Sequence, residues 1–326
     1  MTHITKLVLE GFKSFGKRTE LVFGEKFNCV LGPNGSWKST ARWTEVLLAD
    51  GTIKQIGTLV DEELLTARKH YYLDDGVYCA NTSKTVVLTL NPETMKIEKK
   101  QVAAFVKREG EPHLYKITTS TGKSVTTTAC HPVMTFKNGA VQSQRVEHLS
   151  AGSIIAAPRN IPVTGKKTLL PESLPVESSC SHDKHITIPK EITPALSRWF
   201  GLTIGDGYIH HARIEFINAD ESLINEWITL SRQLFNYGTP YTRKEGPSTR
   251  VIYHTRKLPA FIAQILNLSP TYSITSDTKK IPDIFFTAEQ HCITALLSGL
   301  IDTDGYVSKT TPTLEFTSKN ETLADQ

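Results

Sequence analysis

Hydrophobic positions follow a period of about two residues in the first half of this chain and about 3.6 in much of the second, so the halves predict different elements. Between residues 39 and 160, short apolar runs alternate with polar residues and break at Gly, Asn or Asp: TEVLL, TIKQI, VYCA, KTVVLTL, MKIEKKQVAAFVKRE, LYKITTSTG, KSVTTTACH and GSIIAAP. No alternation of strand with helix is visible there, and an all-β domain is expected. From Thr193 the grammar changes. PALSRWFGLTIGD predicts an apolar helix, IHHARIEFIN a strand region and ESLINEWITLSRQLF an amphipathic helix. TPYTRKEG and TRVIYHT predict two more strands, and LPAFIAQILNL another helix. At Ala295 the opening returns as ALLSGLIDTDGYVSK, followed by TLEFTSK. A repeat at about one hundred residues implies pseudo-two-fold architecture and an α+β domain.

Residues 1–38 predict strands and a loop. ITKLVLEGF and Leu21–Phe23 form apolar runs, and Phe27–Leu31 leads into GPNGSWKS. That loop nearly spells the phosphate-binding pattern G-x-x-x-x-G-K-[ST], in which backbone N–H groups and a lysine cradle ATP. Gly32, Asn34, Gly35 and Lys38 are its candidate nucleotide-binding residues, but Trp37 stands where the second glycine belongs. The helix that such a loop requires is also missing, because TARWTEVLL reads as strand. Residues 161–190 are rich in Pro and Ser and read as a linker, with Cys180, His182 and His185 as exposed linker residues rather than metal ligands. The expected domains are therefore 1–38, 39–160, 161–190 and 191–326.

Composition narrows the classes. Of 326 residues, 39% are hydrophobic and 21% charged, as in globular proteins. Five scattered cysteines with no C-x-x-C pair point to a reducing compartment. With no signal peptide and no apolar run of about 18 residues, a cytoplasmic protein without a membrane partner is expected. A net charge of +4 does not by itself imply nucleic acid. From residue 190 onward, 13 Lys and Arg stand against 15 Asp and Glu. Between positions 232 and 257, however, Arg232, Arg243, Lys244, Arg250, Arg256 and Lys257 face only Glu245, with Tyr241 and Tyr253 among them. Strands carrying those cations are candidate DNA-binding elements.

Three resemblances attach to these motifs. LVLEGFKSF followed by VLGPNGS resembles the N-terminus of the structural maintenance of chromosomes family and related RecF/RecN-type ATPases. Thr44-Glu45-Val46, Gly122 with Thr128-Ala129-Cys130-His131-Pro132, and EHLSAGSIIAAPR resemble the splicing region of an intein, which has the Hint fold. That likeness implies Ser39 as the first nucleophile, with Thr40 as runner-up, and Thr128 and His131 as the groups that polarise the scissile amide and protonate its nitrogen. FGLTIGDGYI and SGLIDTDGYV resemble the paired motifs of LAGLIDADG homing endonucleases. There the resemblance implies Asp206 and Asp304 as neighbouring carboxylates sharing Mg²⁺, and Lys280 beside the scissile phosphate. Gly201 and Gly299 would let the two helices pack closely. A calcium-loop reading of Asp302-Thr303-Asp304-Gly305 fails, since Tyr306 and Val307 occupy ligand and glycine positions.

The expectation is an intein with an embedded endonuclease, inserted in the phosphate loop of a chromosome-maintenance-type ATPase, whose sequence stops before the second repeat and the C-terminal splicing segment are complete. Its partners would be double-stranded DNA and that missing C-terminal intein or host segment, and ATP would matter only to the rejoined host. The alternatives are an ATP- and DNA-binding ATPase fragment with an accessory domain, or a degenerate inactive relic.

Overall fold

Alternating apolar residues between tight turns can bury one face only by pairing, and the first half of the chain does so in antiparallel hairpins. The computed structural model describes residues 6–9, 19–22 and 30–31 as backbone, and 39–91, 93–108, 113–120, 122–158, 161–162, 165–172, 183, 185–269, 273–311 and 313–326. Gly32, Asn34, Gly35, Trp37, Lys38, Cys180 and His182 lie outside the described residues. Contacts divide the chain into two units, Met1–Val163 and Thr164–Gln326.

In the first unit β1 (Lys6–Leu9) pairs with β2 (Thr19–Val22). After β3 (Val30–Leu31) come β4 (Glu45–Leu47) and β5 (Ile53–Gln55), which pair with each other. The chain then forms a helix, α1 (Ile56–Thr66), where strand was expected. Its inward residues Ile56, Leu59, Val60 and Glu63 recur at helical spacing. The start carries no capping signal, because Gln55 makes no side-chain cap, so the β5 alternation runs into the helix unbroken. Next follow β6 (Tyr71–Leu73), β7 (Gly76–Ala80), β8 (Val86–Asn91), β9 (Lys96–Gln101) and β10 (Ala104–Arg108). A four-stranded sheet has the order β3-β10-β7-β6, with β3 parallel to β10. Hairpins β8–β9, β11 (Tyr115–Thr118) with β12 (Ser124–Thr127), and β13 (Pro132–Lys137) with β14 (Ala140–Arg145) complete the unit. Its small core gathers Leu48, Ile56, Leu59, Val60, Val87 and Phe105.

In the second unit α2 (Pro194–Asp206) starts where Thr193 accepts the Leu196 N–H and Pro194 takes the first turn. Two strands follow, β15 (Gly207–His210) and β16 (Arg213–Asn218). Helix α3 (Glu221–Phe235) is capped by Asp220 and ends on Asn236 in the left-handed region, φ 54°. Strands β17 (Tyr241–Glu245) and β18 (Ser248–His254) give a sheet ordered β15-β16-β18-β17, and α4 (Lys257–Ile265) follows. The second copy runs α5 (Gln290–Asp304), β19 (Gly305–Val307), β20 (Leu314–Phe316) and α6 (Glu321–Asp325). The hairpins of the two copies share one register. Gly207, Tyr208 and Ile209 face Phe216, Glu215 and Ile214, while Gly305, Tyr306 and Val307 face Phe316, Glu315 and Leu314.

Large aromatics fill the core of this unit, including Trp199, Trp227, Phe216, Phe235 and Tyr253. The two indoles close a circuit of four hydrogen bonds between α2 and α3. Trp199 Nε1 donates to Ser231 Oγ at 2.9 Å, and Ser231 Oγ to the Trp227 carbonyl at 2.8 Å. Trp227 Nε1 donates to Thr203 Oγ1 at 2.9 Å, and Thr203 Oγ1 to the Trp199 carbonyl at 2.7 Å. Each buried donor is thereby satisfied inside an apolar core. Part of the expected linker is folded here too. Leu170 is buried in this core, and the Lys166 and Leu170 amides donate to the Thr287 and Lys190 carbonyls at 3.0 and 2.9 Å.

Candidate functional site

The chain entering β4 runs antiparallel to the end of β12. Thr40 bridges Thr127, and Ala41 N–H donates to the Thr126 carbonyl at 2.8 Å. This pairing sets Ser39 beside Thr128, both buried. The Thr128 hydroxyl accepts the Ser39 N–H at 3.2 Å and lies 3.2 Å from the Ser39 carbonyl, to which it donates. The Thr128 N–H donates to that same carbonyl at 3.0 Å. The T-x-x-H spacing is one turn, closed by the His131 N–H on the Thr128 carbonyl at 3.1 Å. Val146 and Glu147 donate to the His131 and Ala129 carbonyls, bracing the turn from outside. Cys130 Sγ lies 3.8 Å from Thr128 Oγ1, a neighbour that sequence reading did not single out. His131 borders a cavity of about 760 Å³ lined by Leu90, Ile97, Val133 and Met134 among others.

The second constellation lies at the ends of α2 and α5. A Cβ on Gly201 would run into the Leu296 carbonyl, and one on Gly299 would come within 2.7 Å of Leu202 N. The glycines therefore permit backbone approach of the two helices. Both helices stop at an aspartate, and the carboxylates of Asp206 and Asp304 are close enough to interact. Burial and the Asp304 charge push the Asp206 carboxyl up, and burial pushes Asp304 up. Asn218 Nδ2 donates to Asp206 Oδ2 at 2.6 Å, and Asn218 had no sequence signal beyond its place at the end of a strand. The lysine whose charge reaches both carboxylates is Lys279, not the expected Lys280. Lys279 is buried, its Nζ donates to the Gly205 carbonyl, and burial pulls its pKa down against the pull of the two acids. Both lysines border a small apolar recess with Phe200, Ile262 and Pro282, and of the two only the Lys279 charge acts on the two carboxylates. Adjacent lysines in an irregular segment carry no periodicity by which sequence could choose between them.

The expected DNA-binding cations do not form one free set. Arg250 is held by Glu245, 2.9 Å from its Nε, and by buried Glu215, and these partners raise its already high pKa. Lys257 Nζ donates to the Ile186 carbonyl at 2.6 Å. Tyr253 is buried, because alternation along β18 turns it inward. Arg232, Arg243, Lys244 and Arg256 are exposed, with Lys244 loosely paired to Glu221 at 3.7 Å. Arg243 and Arg250 are cross-strand partners and share the solvent face of the sheet with Arg213, Tyr241 and His254. Arg213 escaped sequence reading because it lies outside the basic run.

The profile of the intein splicing domain family matches residues 46–321. The chain belongs to this family. Among curated relatives, it is similar to the replication factor C small subunit of Methanocaldococcus jannaschii, 25% identical over 88% of this chain and 14% of the relative. It is also similar to the chromosome partition protein Smc of Aquifex aeolicus, 58% identical over 38 residues, 11% of this chain and 3% of that protein. The chain thus spans only a small part of the relatives it matches. Among solved structures, the PabCDC21-1 intein aligns with 27% identity and a TM-score of 0.34 over 41% of this chain and 74% of that one. The hairpins of the first unit are those of a Hint-like intein fold, with α1 an addition to the all-β expectation. Among the described residues, no helix is long and apolar enough to cross a membrane, and no group of three or more His, Cys, Asp or Glu is gathered as metal ligands.

Proposed function

We propose that this intein performs the first acyl shift of protein splicing at the Lys38–Ser39 bond. The observation that carries the reading is the Thr128 hydroxyl, which accepts the Ser39 N–H and donates to the Ser39 carbonyl. Ser39 Oγ attacks the Lys38 carbonyl carbon, the new C–O bond replaces the C–N bond, and the freed Ser39 nitrogen takes a proton. Thr128 already touches that nitrogen, so its hydroxyl can pass a proton to the nitrogen while taking up the one that Ser39 Oγ gives up, and it ends neutral. His131, one turn away, is the second proton source. Hydroxylamine captures an ester and should release residues 1–38, detected by mass. Thr128→Val should lower the release about a hundredfold or more, the range for loss of a proton-transfer group. Ser39→Cys should respond to thiols as well. Failure of both the native chain and Ser39→Cys to release the fragment would sink the reading.

For the second unit we infer a LAGLIDADG-type endonuclease acting on double-stranded DNA. Its support is the carboxylate pair at the ends of two glycine-packed helices, with Lys279 beside them. Two acids that disfavour each other's ionisation, with oxygen donors alone, suit Mg²⁺. Asp206 and Asp304 would hold it, and when bound it would polarise a phosphodiester and activate water. Lys279 stabilises charge on the phosphate, Asn218 orients Asp206, and Arg213, Arg243 and Arg256 meet the DNA backbone. Duplex carrying the uninterrupted host sequence should be cut only with Mg²⁺, and not by Asp206→Asn or Asp304→Asn. Equal cutting by these variants would exclude the site. The 38-residue likeness to Smc, equal in length to the segment before Ser39, supports a chromosome-maintenance-type host that binds ATP once rejoined. The same reading gives a cytoplasmic location.

A further inference from the structure

The edge strand β6 of the first unit exposes aromatics where an edge is normally blunted by charge or proline. Tyr72 is 82% exposed, and Tyr71 stacks on Tyr78 of β7 with ring centroids 4.9 Å apart and planes 14° from parallel. Lys69 Nζ sits 4.9 Å over the Tyr71 ring. Just before the strand, Arg68, Lys69 and His70 are all exposed. On this sheet and next to its covering helix, other cations are neutralised: Lys107 and, from before β4, Arg42 by Asp61, Arg108 by Asp75, and Lys54 of β5 by Glu62. Among the described residues, neither Arg68 nor Lys69 has an ion-pair partner. Two uncompensated cations therefore flank the open ring of Tyr72, while Tyr71 is held between Tyr78 and Lys69.

We propose that Arg68, Lys69, Tyr71 and Tyr72 form a binding surface for single-stranded nucleic acid on the splicing unit, separate from both centres described above. The chemistry matches a strand with unpaired bases: rings offer a stacking platform for any base, and the cations meet the phosphates. Alternation along β6 sends Tyr71 and Tyr72 to opposite faces, so a base stacks on Tyr72 at the edge while Tyr71 holds Lys69 in place for the adjoining phosphate. A duplex keeps its bases stacked on one another and gains only the two charge contacts. An acidic polypeptide gains the same contacts without the stacking.

The test is fluorescence anisotropy of a labelled oligothymidine with the full chain, using an equal-length duplex and poly-glutamate as comparators. Oligothymidine should bind more tightly than either. Tyr72→Ala should weaken it about tenfold. The double variant Arg68→Glu, Lys69→Glu should lower the slope of log affinity against log salt by about 1.4. Because all three side chains are exposed, unfolding midpoints and release of residues 1–38 should stay unchanged. No binding, affinity indifferent to both variants, or preference for duplex or poly-glutamate would each overturn the proposal.

Discussion

At the scale of the residue, Asp206 shows how neighbours set a charge. Its carboxyl is pushed up by burial first and by Asp304 second, with Asn218 and Lys279 pulling the other way. A carboxyl whose folded pKa exceeds its unfolded value, near 3.9, binds more protons folded than unfolded. Stability from this group is therefore greatest below the unfolded value, declines as pH rises through the folded one, and then levels off. Asp206→Asn removes that penalty and still offers Asn218 an oxygen. The variant should raise the denaturant midpoint of the second unit at pH 7 and leave it unchanged near pH 3. A lower midpoint at pH 7 would show that Lys279 outweighs burial. Of this site, the two aspartates were legible because each ends a repeated motif. Lys279 and Asn218 were not, since tertiary folding alone brings them near.

At the scale of the element, the α2–α5 contact depends on two missing side chains. Gly201→Ala would drive a methyl into the Leu296 carbonyl, and Gly299→Ala would place one 2.7 Å from Leu202 N. Each should destabilise the second unit by about 1–3 kcal/mol, the range for overpacking, measured by urea unfolding. Ala has the better helix propensity, so a gain in stability would mean that the helices are free to part. Helices with caps and strong periodicity, α2 and α3 above all, could be read from sequence. Helix α1 could not, because an uncapped start following a strand looks like more strand. The β6–β7 pairing was only half visible, as VYCA, since HYYL lacks alternation.

At the scale of the whole molecule, two units with separate cores should unfold in separable steps rather than one. Trp199 and Trp227 are fully buried in the second unit, whereas Trp43 of the first is 59% exposed. Indole fluorescence therefore weighs the second unit's unfolding heavily. Phe105→Ala, in the first core, should cost about 3–5 kcal/mol there and move a far-ultraviolet circular dichroism transition while leaving the buried-indole transition in place. Coincident shifts in both would show one cooperative block. Sequence assigned residues 165–172 to a linker because a Pro-flanked stretch shows no pattern even when it is pinned to a core.

The indole circuit also bears on how this chain can change over generations. Because the Trp199 and Trp227 indoles donate to the Ser231 and Thr203 hydroxyls, losing either hydroxyl strands a buried N–H, a cost of about 1–3 kcal/mol. Replacing the four together with apolar residues of similar volume avoids that cost. Mutational drift should therefore couple each indole to its hydroxyl, with alignment columns covarying in the pairs 199 with 231 and 203 with 227, and a tryptophan that lacks its hydroxyl partner rare.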